Sequence, residues 1–222
     1  SRISLSSLAG QTVKIRFYAA SDEGYSYGDP DGWWIDDVRI YSCVQSAELL
    51  TNGGFETGPA RPPQGWVVKN KVGTPNNDRR VLNKVGGPVV SNSGSAAFRF
   101  TGGALENTTL TQTVDLTGVT LAQGDQLVLS GYEMNTKTSQ LNVKLVVNYT
   151  GAPSTFTNLS LNSSASGYQS FTLPALDIGS GTVSSVVVRI SFKSKDPKVK
   201  HFLDDLSLTH TPASSRNIQV WR

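Results

Sequence analysis

An all-β chain, an antiparallel β-sandwich of jelly-roll type, is predicted by three observations. Helical periodicity is nearly absent from the 222 residues. Short runs instead alternate apolar and polar side chains with the period of a half-buried strand. Clusters of Gly, Asn, Pro and Ser separate these runs, as turns between strands require. Strands of this number and spacing build two packed sheets.

The elements follow in order. The first run covers residues 3–5. In the second, 13–19, Val13, Ile15, Phe17 and Ala19 alternate with Lys14, Arg16 and Tyr18, which gives one face to a core. The third covers 34–41. Further strands are expected at 66–69, 96–100, 109–114, 126–134, 141–149, 169–173, 184–192 and 202–209.

One formula occurs twice. Trp34-Ile35-Asp36-Asp37-Val38-Arg39-Ile40 matches Phe202-Leu203-Asp204-Asp205-Leu206-Ser207-Leu208 in its order of apolar, acidic and polar residues. Only about 35 residues precede the first copy, too few for an independent core. Residues 1–45 are therefore expected to be the closing part of one sandwich and 46–210 a complete one. Residues 211–222 read as a linker and a β-prone tail, with 217–221 as the start of another strand.

Composition narrows the class. Charged residues make up 17% and hydrophobic residues 37%, which fits a turn-rich extracellular β-protein better than a disordered chain. Cys43 is the only cysteine, so no intrachain disulfide forms. No apolar run reaches membrane-spanning length. The start at Ser1 carries no signal-like segment, and the expectation is a processed or excised piece of an exported protein. Residues 1–48 hold seven acids against four bases, and 49–222 ten against sixteen. The bases are scattered apart from Arg79-Arg80 and the stretch 193–200, both read as solvated loops. A nucleic-acid partner is not expected.

The run Leu50-Thr51-Asn52-Gly53-Gly54-Phe55-Glu56, followed by Gly65-Trp66 and the closing Asp204-Asp205 strand, resembles the carbohydrate-binding-module jelly rolls found beside bacterial polysaccharide hydrolases. The resemblance spans residues 49–210. It implies a structural calcium ion joining the two ends of the domain, with Glu56 and Asp204 or Asp205 as ligands. Calcium takes oxygen ligands, and adjacent residues of a strand point to opposite faces. Surface charge is the alternative for the pair. The run 8–17, with Asp31-Gly32-Trp33-Trp34-Ile35-Asp36-Asp37-Val38, resembles the end of jelly-roll domains appended to secreted bacterial peptidases and adhesins. Asp22, Asp29 and Asp31 crowd its loop, as a second calcium site or as a solvated acidic loop.

Trp33, Tyr132 and Tyr168 are the candidate sugar-stacking platforms, with core or interface packing as the alternative. Asn107, Asn148, Asn158 and Asn162 stand in glycosylation sequons. His201 and His210 are the only histidines, and no nucleophile motif accompanies them. Glu106 and Glu133 make a glycosidase-like pair only if folding joins them. The chain is accordingly expected not to be an enzyme. The leading expectation is a structural module of an extracellular surface protein or filament, self-associating by strand exchange through 218–221 and serving assembly or adhesion. The alternative is a polysaccharide-binding accessory module of a secreted hydrolase or peptidase.

Overall fold

The computed structural model describes residues 16–17, 47–72, 77–162, 165 and 167–213. The chain divides into two units, Ser1–Tyr41 and Ser42–Arg222. Only Arg16 and Phe17 of the first are described. The other residues expected to form its three strands, together with Asp22, Asp29, Asp31, Trp33 and the tail 217–221, lie outside the described residues. No helix among the described residues is long and apolar enough to cross a membrane.

The described part of the second unit carries twelve strands. They are β1 (Ala47–Glu48), β2 (Val67–Val72), β3 (Arg79–Leu82), β4 (Ala96–Thr101), β5 (Glu106–Thr113), β6 (Gln126–Asn135), β7 (Gln140–Thr150), β8 (Thr155–Leu161), β9 (Gln169–Thr172), β10 (Leu176–Asp177), β11 (Thr182–Ser194) and β12 (Lys200–Thr211). One sheet has the order β10-β6-β12-β4-β3, with β9 also on β6 and β1 also on β12. The other has the order β2-β5-β11-β7-β8. The pairings are antiparallel. The sandwich read from the alternation is the architecture observed.

Alternation decides which side chains meet between the sheets. Leu141, Val143, Leu145 and Val147 of β7 are buried, as are Val186, Val188, Ile190 and Phe192 of β11. Phe98, Phe100, Leu127, Leu129, Leu203 and Leu208 face them from the first sheet. A line of rings crosses this core. Trp66 meets Phe55 at 5.5 Å between centroids and Phe55 meets Phe98 at 5.6 Å. Phe98–Phe100 and Phe100–Phe192 follow at 4.9 and 5.1 Å. Each such pair contributes about 0.5–1.5 kcal/mol beyond its buried area.

Four strands lie outside the expected runs: the two-residue β1 and β10, and the longer β3 and β8. Arg79-Arg80 opens β3 and is not a solvated loop. The Arg80 guanidinium donates to the carbonyls of Phe55, Glu56 and Gly58, and that cost of ordering a cation is offset by three main-chain acceptors. The strand β8 turns Thr155, Thr157, Leu159 and Leu161 inward, so polar residues on its inner face hide the apolar period. The stretch 193–200 is also more than a loop. Lys193 ends in β11, Lys200 begins β12, and Val199 between them is fully buried.

Two polar clusters lie inside the sandwich. In the first, Ser139 Oγ stands 3.0 Å from His201 Nδ1, and His201 Nε2 stands 2.6 Å from Glu133 Oε2. The second contact is close but off the N–H direction. In the second cluster Thr108 Oγ1 lies 2.5 Å from Asp78 Oδ2 and 2.9 Å from Glu106 Oε1. Asn70 Nδ2 reaches both carboxylates. A hydroxyl has one proton, so Thr108 cannot donate to both. Glu106 and Glu133 are thus committed to different partners rather than to one another.

Two predictions follow from this burial. His201→Ala leaves Glu133 buried without its partner, and loss of one member of such a pair costs about 3–5 kcal/mol. Urea unfolding measures it, and adding Glu133→Gln should recover part of the loss. A cost under about 1 kcal/mol would show that the pair is not a buried ionic contact. The second prediction concerns pH. Burial pushes the Asp78 carboxyl above its ordinary range, and the Glu106 charge adds to this against the hydrogen bonds from Thr108, Thr101 and Asn70. A raised carboxyl favours the folded state at low pH and withdraws that contribution as pH rises through the folded value. Asp78→Asn should therefore flatten the decline in stability above about pH 4. Equal pH slopes in variant and parent would refute the coupling.

Candidate functional site

The outward half of the same alternation builds a polar face on the β2-β5-β11-β7-β8 sheet. Register sets its rows. Thr113, Val187, Val146 and Phe156 stand side by side across four strands. The next row is Val67, Thr111, Arg189, Lys144 and Asn158. Then come Lys69, Thr109, Ser191, Asn142 and Ser160. Asn107, Lys193 and Gln140 make a fourth.

A shallow cleft of about 270 Å³ lies on the last two rows, lined by Gln140, Leu141, Asn142, Ser160, Asn162, Ser191 and Lys193. Three carboxamides, two hydroxyls and one ammonium therefore converge on one depression. Asn142 Nδ2 donates to Ser160 Oγ at 3.2 Å, which fixes the amide while leaving its carbonyl oxygen as an acceptor. Carboxamides offer donor and acceptor side by side. Phe156 is 54% exposed on the same face, and the Lys144 ammonium sits 3.7 Å from its ring centroid.

The expected platforms lie elsewhere. Tyr132 is on β6 of the other sheet and 38% exposed. Tyr168 is half-buried and donates its hydroxyl to Val90 O. Burial, and then the charges of Asp204 and Asp205, push that hydroxyl's pKa up. Neither lines the cleft. The aromatic residue on the cleft's sheet face, Phe156, is hidden in sequence by its Thr and Asn neighbours. The sequon residues Asn107, Asn148 and Asn158 alternate onto this outer face, and Asn162 lines the cleft. A glycan at these positions would compete with any ligand of the cleft.

The acidic residues of the opening and closing motifs meet at the loop 91–96. Glu56 accepts from Ser95 N, Ser95 Oγ and Ala96 N at 2.7–3.1 Å. Burial pushes its carboxyl up, but these bonds, with Arg80 nearby, outweigh it and hold Glu56 below its usual range. Asp204 accepts from Asn92 N, Ser93 N and Asp205 N. Burial pushes it up to about 6 against those bonds, and Asp205 adds to the rise. Asp205 accepts from Asn92 Nδ2 and Ser93 Oγ. A Cβ on Gly54 would lie 3.5 Å from Asp205 Oδ1 and 3.9 Å from Asp204 Oδ1, so glycine leaves space beside both. This all-oxygen set suits calcium in kind. Among the described residues, however, no three acidic, His or Cys side chains are gathered as a metal cluster, so main-chain oxygens would have to supply much of any coordination.

Neither a protein-family model nor a curated protein matches the chain. Solved structures do. The carbohydrate-binding module TmCBM61 in complex with β-1,4-galactotriose is similar over 73% of this chain and 98% of its own, at 20% identity and a TM-score of 0.51. A Stig cyclase, Fisc from Fischerella sp. TAU, is similar over 76% of this chain and 100% of its own, at 15% identity and a TM-score of 0.53. An apo cyclase from Fischerella sp. matches over 76% and 98%, at 14% identity and a TM-score of 0.54. The jelly roll of the carbohydrate-binding modules is thus the fold seen here.

The cyclases correct one expectation. The lack of a nucleophile motif was read as excluding an enzyme, but enzymes share this fold at the same structural likeness as the binding module. Fold therefore does not decide the matter. Sequence reading also missed that Ser139, His201 and Glu133 line up, because 62 residues separate Ser139 from His201 and only sheet pairing joins them.

Mutating Gly53 probes the motif itself. A Cβ there would lie 1.8 Å from Leu206 O, so Gly53→Ala should cost about 1–3 kcal/mol as overpacking does. A thermal melt unchanged by the substitution would show that the close approach is not required.

Proposed function

We propose that this chain is a carbohydrate-binding module that holds a polysaccharide in the cleft on the outer face of the β2-β5-β11-β7-β8 sheet. The observation that carries this reading is the cleft, where amide and hydroxyl groups from β7, β8 and β11 converge with Lys193. Sugars present closely spaced hydroxyls, and such groups answer them in both donor and acceptor roles. The fold likeness to a galactotriose-bound module supports it. An extracellular location belongs to the same proposal. The assembly reading depended on residues 1–45 and 218–221, which, apart from 16–17, lie outside the described residues, and it has no comparable support.

Titration calorimetry against a polysaccharide panel tests the proposal. Asn142→Ala should weaken the best ligand about tenfold, or about 1.4 kcal/mol. Tyr132→Ala on the other sheet should leave affinity unchanged. Loss of binding in the second variant but not the first would place the site elsewhere. Calcium at the Glu56–Asp204–Asp205 region is proposed as the structural partner of this module. At a hundredfold over its dissociation constant it would add about 2.7 kcal/mol, and identical melts in calcium and chelator would end that idea.

A further inference from the structure

We infer that the ligand of this face is an acidic polysaccharide, a sugar chain bearing repeated carboxylate or sulfate groups; this rests on the binding site proposed above. The five strands of the sheet contain five basic residues, Lys69, Lys71, Lys144, Arg189 and Lys193, and one acidic residue, Glu106. Glu106 is turned inward and is 4% exposed. The outward rows therefore carry cations without a single carboxylate. The described ion pairs involve Lys137, His201 and His210, none of which belongs to this face.

Placement sharpens the charge argument. Arg189 and Lys144 are direct cross-strand neighbours, and like charges set opposite one another destabilise a sheet. The Phe156 ring under Lys144 eases that repulsion in part, but no carboxylate on the face neutralises either cation, whereas an anionic ligand would. Lys193 occupies the cleft itself. Arg189 and Lys193 are four residues apart on β11, or roughly 13 Å at the rise of a strand. With both side chains extended outward, a polymer with recurring charges can meet the two together. The amides and hydroxyls between them, Asn142, Ser160 and Ser191, match sugar hydroxyls. Single-stranded nucleic acid is bound by stacking on aromatic faces, and the exposed Phe156 of this face carries Lys144 over its ring.

Calorimetry on the full chain decides the class. The probes are polygalacturonate and alginate for carboxylate, dextran sulfate for sulfate, neutral galactan and xylan, and single-stranded DNA. At least one acidic glycan should bind about tenfold or more tighter than the neutral chains, and raising salt from about 50 to about 500 mM should remove most of that advantage. Arg189→Gln with Lys193→Gln should abolish the preference without lowering the thermal melt, since it removes the Arg189–Lys144 repulsion. Binding of uronates assigns the carboxylate source, and of dextran sulfate alone the sulfate source; either supports the inference. Neutral chains bound as tightly as acidic ones would overturn it while preserving the carbohydrate site. DNA bound as tightly as the acidic glycans would overturn it as general polyanion binding. No glycan bound at all would overturn both readings.

Discussion

Gly53 approaches Leu206 so closely that no other side chain fits between the opening turn and the closing strand. Leu206 N donates to Gly53 O across the same contact at 3.1 Å. This junction of the two ends of the domain is the constraint on which the rest depends. Glu48 extends it by accepting from Leu208 N and Ser207 Oγ. On the far side Asp204 and Glu56 gather the loop 91–96. The turn holds Asn52 and Phe55 at φ 56° and the strand holds Asp205 at φ 48°, conformations that persist only where surroundings over-determine them. Phe55, delivered by this turn, is the second ring in the aromatic line that reaches Phe192 in the opposite sheet. The end-to-end tie and the inter-sheet core are therefore one structure.

The buried ionic groups show the same economy of partners. Asp78, Asp125 and Asp204 each meet several donors. Asp125 accepts from Ala122 N, Ala213 N and His210, and these bonds outweigh the upward push of burial to hold its carboxyl below the usual range. It thereby fastens the end of β12 to the turn before β6, so residues 212–213 are held rather than a free linker. For Asp78 burial outweighs the bonds it accepts, and the neighbouring Glu106 charge adds to the upward push. Low dielectric strengthens satisfied contacts and penalises unsatisfied ones.

Much of the fold was legible, and for a definite reason. Where one side of a strand is apolar, as in β7 and β11, alternation reports burial directly. β8 escaped because two inward positions are threonine, and β3 escaped because Arg80 bonds backbone carbonyls that sequence cannot place. The motif Asn52-Gly53-Gly54-Phe55-Glu56 was legible as a fold signature, and Asn52, Gly53, Phe55 and Glu56 hold the junction and its turn. It says nothing of ligand. The cleft proposed as the site was illegible because its groups come from different strands, and Asn142, Ser160 and Ser191 are ordinary outward residues until register sets them side by side. Of the aromatic candidates, Tyr132 is exposed on the other sheet and Tyr168 is half-buried. Tyr168 has a hydroxyl that reads as a sugar contact but is occupied by Val90 O.

Site and core are consequently two readings of the same strands. Along β11, Val186, Val188, Ile190 and Phe192 turn inward while Val187, Arg189, Ser191 and Lys193 turn outward. A slip of one residue would exchange the two sets. It would bury Arg189 and expose Ile190, which the core cannot tolerate. Irregularities at Val183/Ser185 and Asn70/Val72 confine the regular ladder to the span that carries the polar rows. The packing that excludes water from the inner face thus also fixes the spacing of amides and cations on the outer one. Outward residues can then change ligand chemistry without touching the contacts that hold the sheets together.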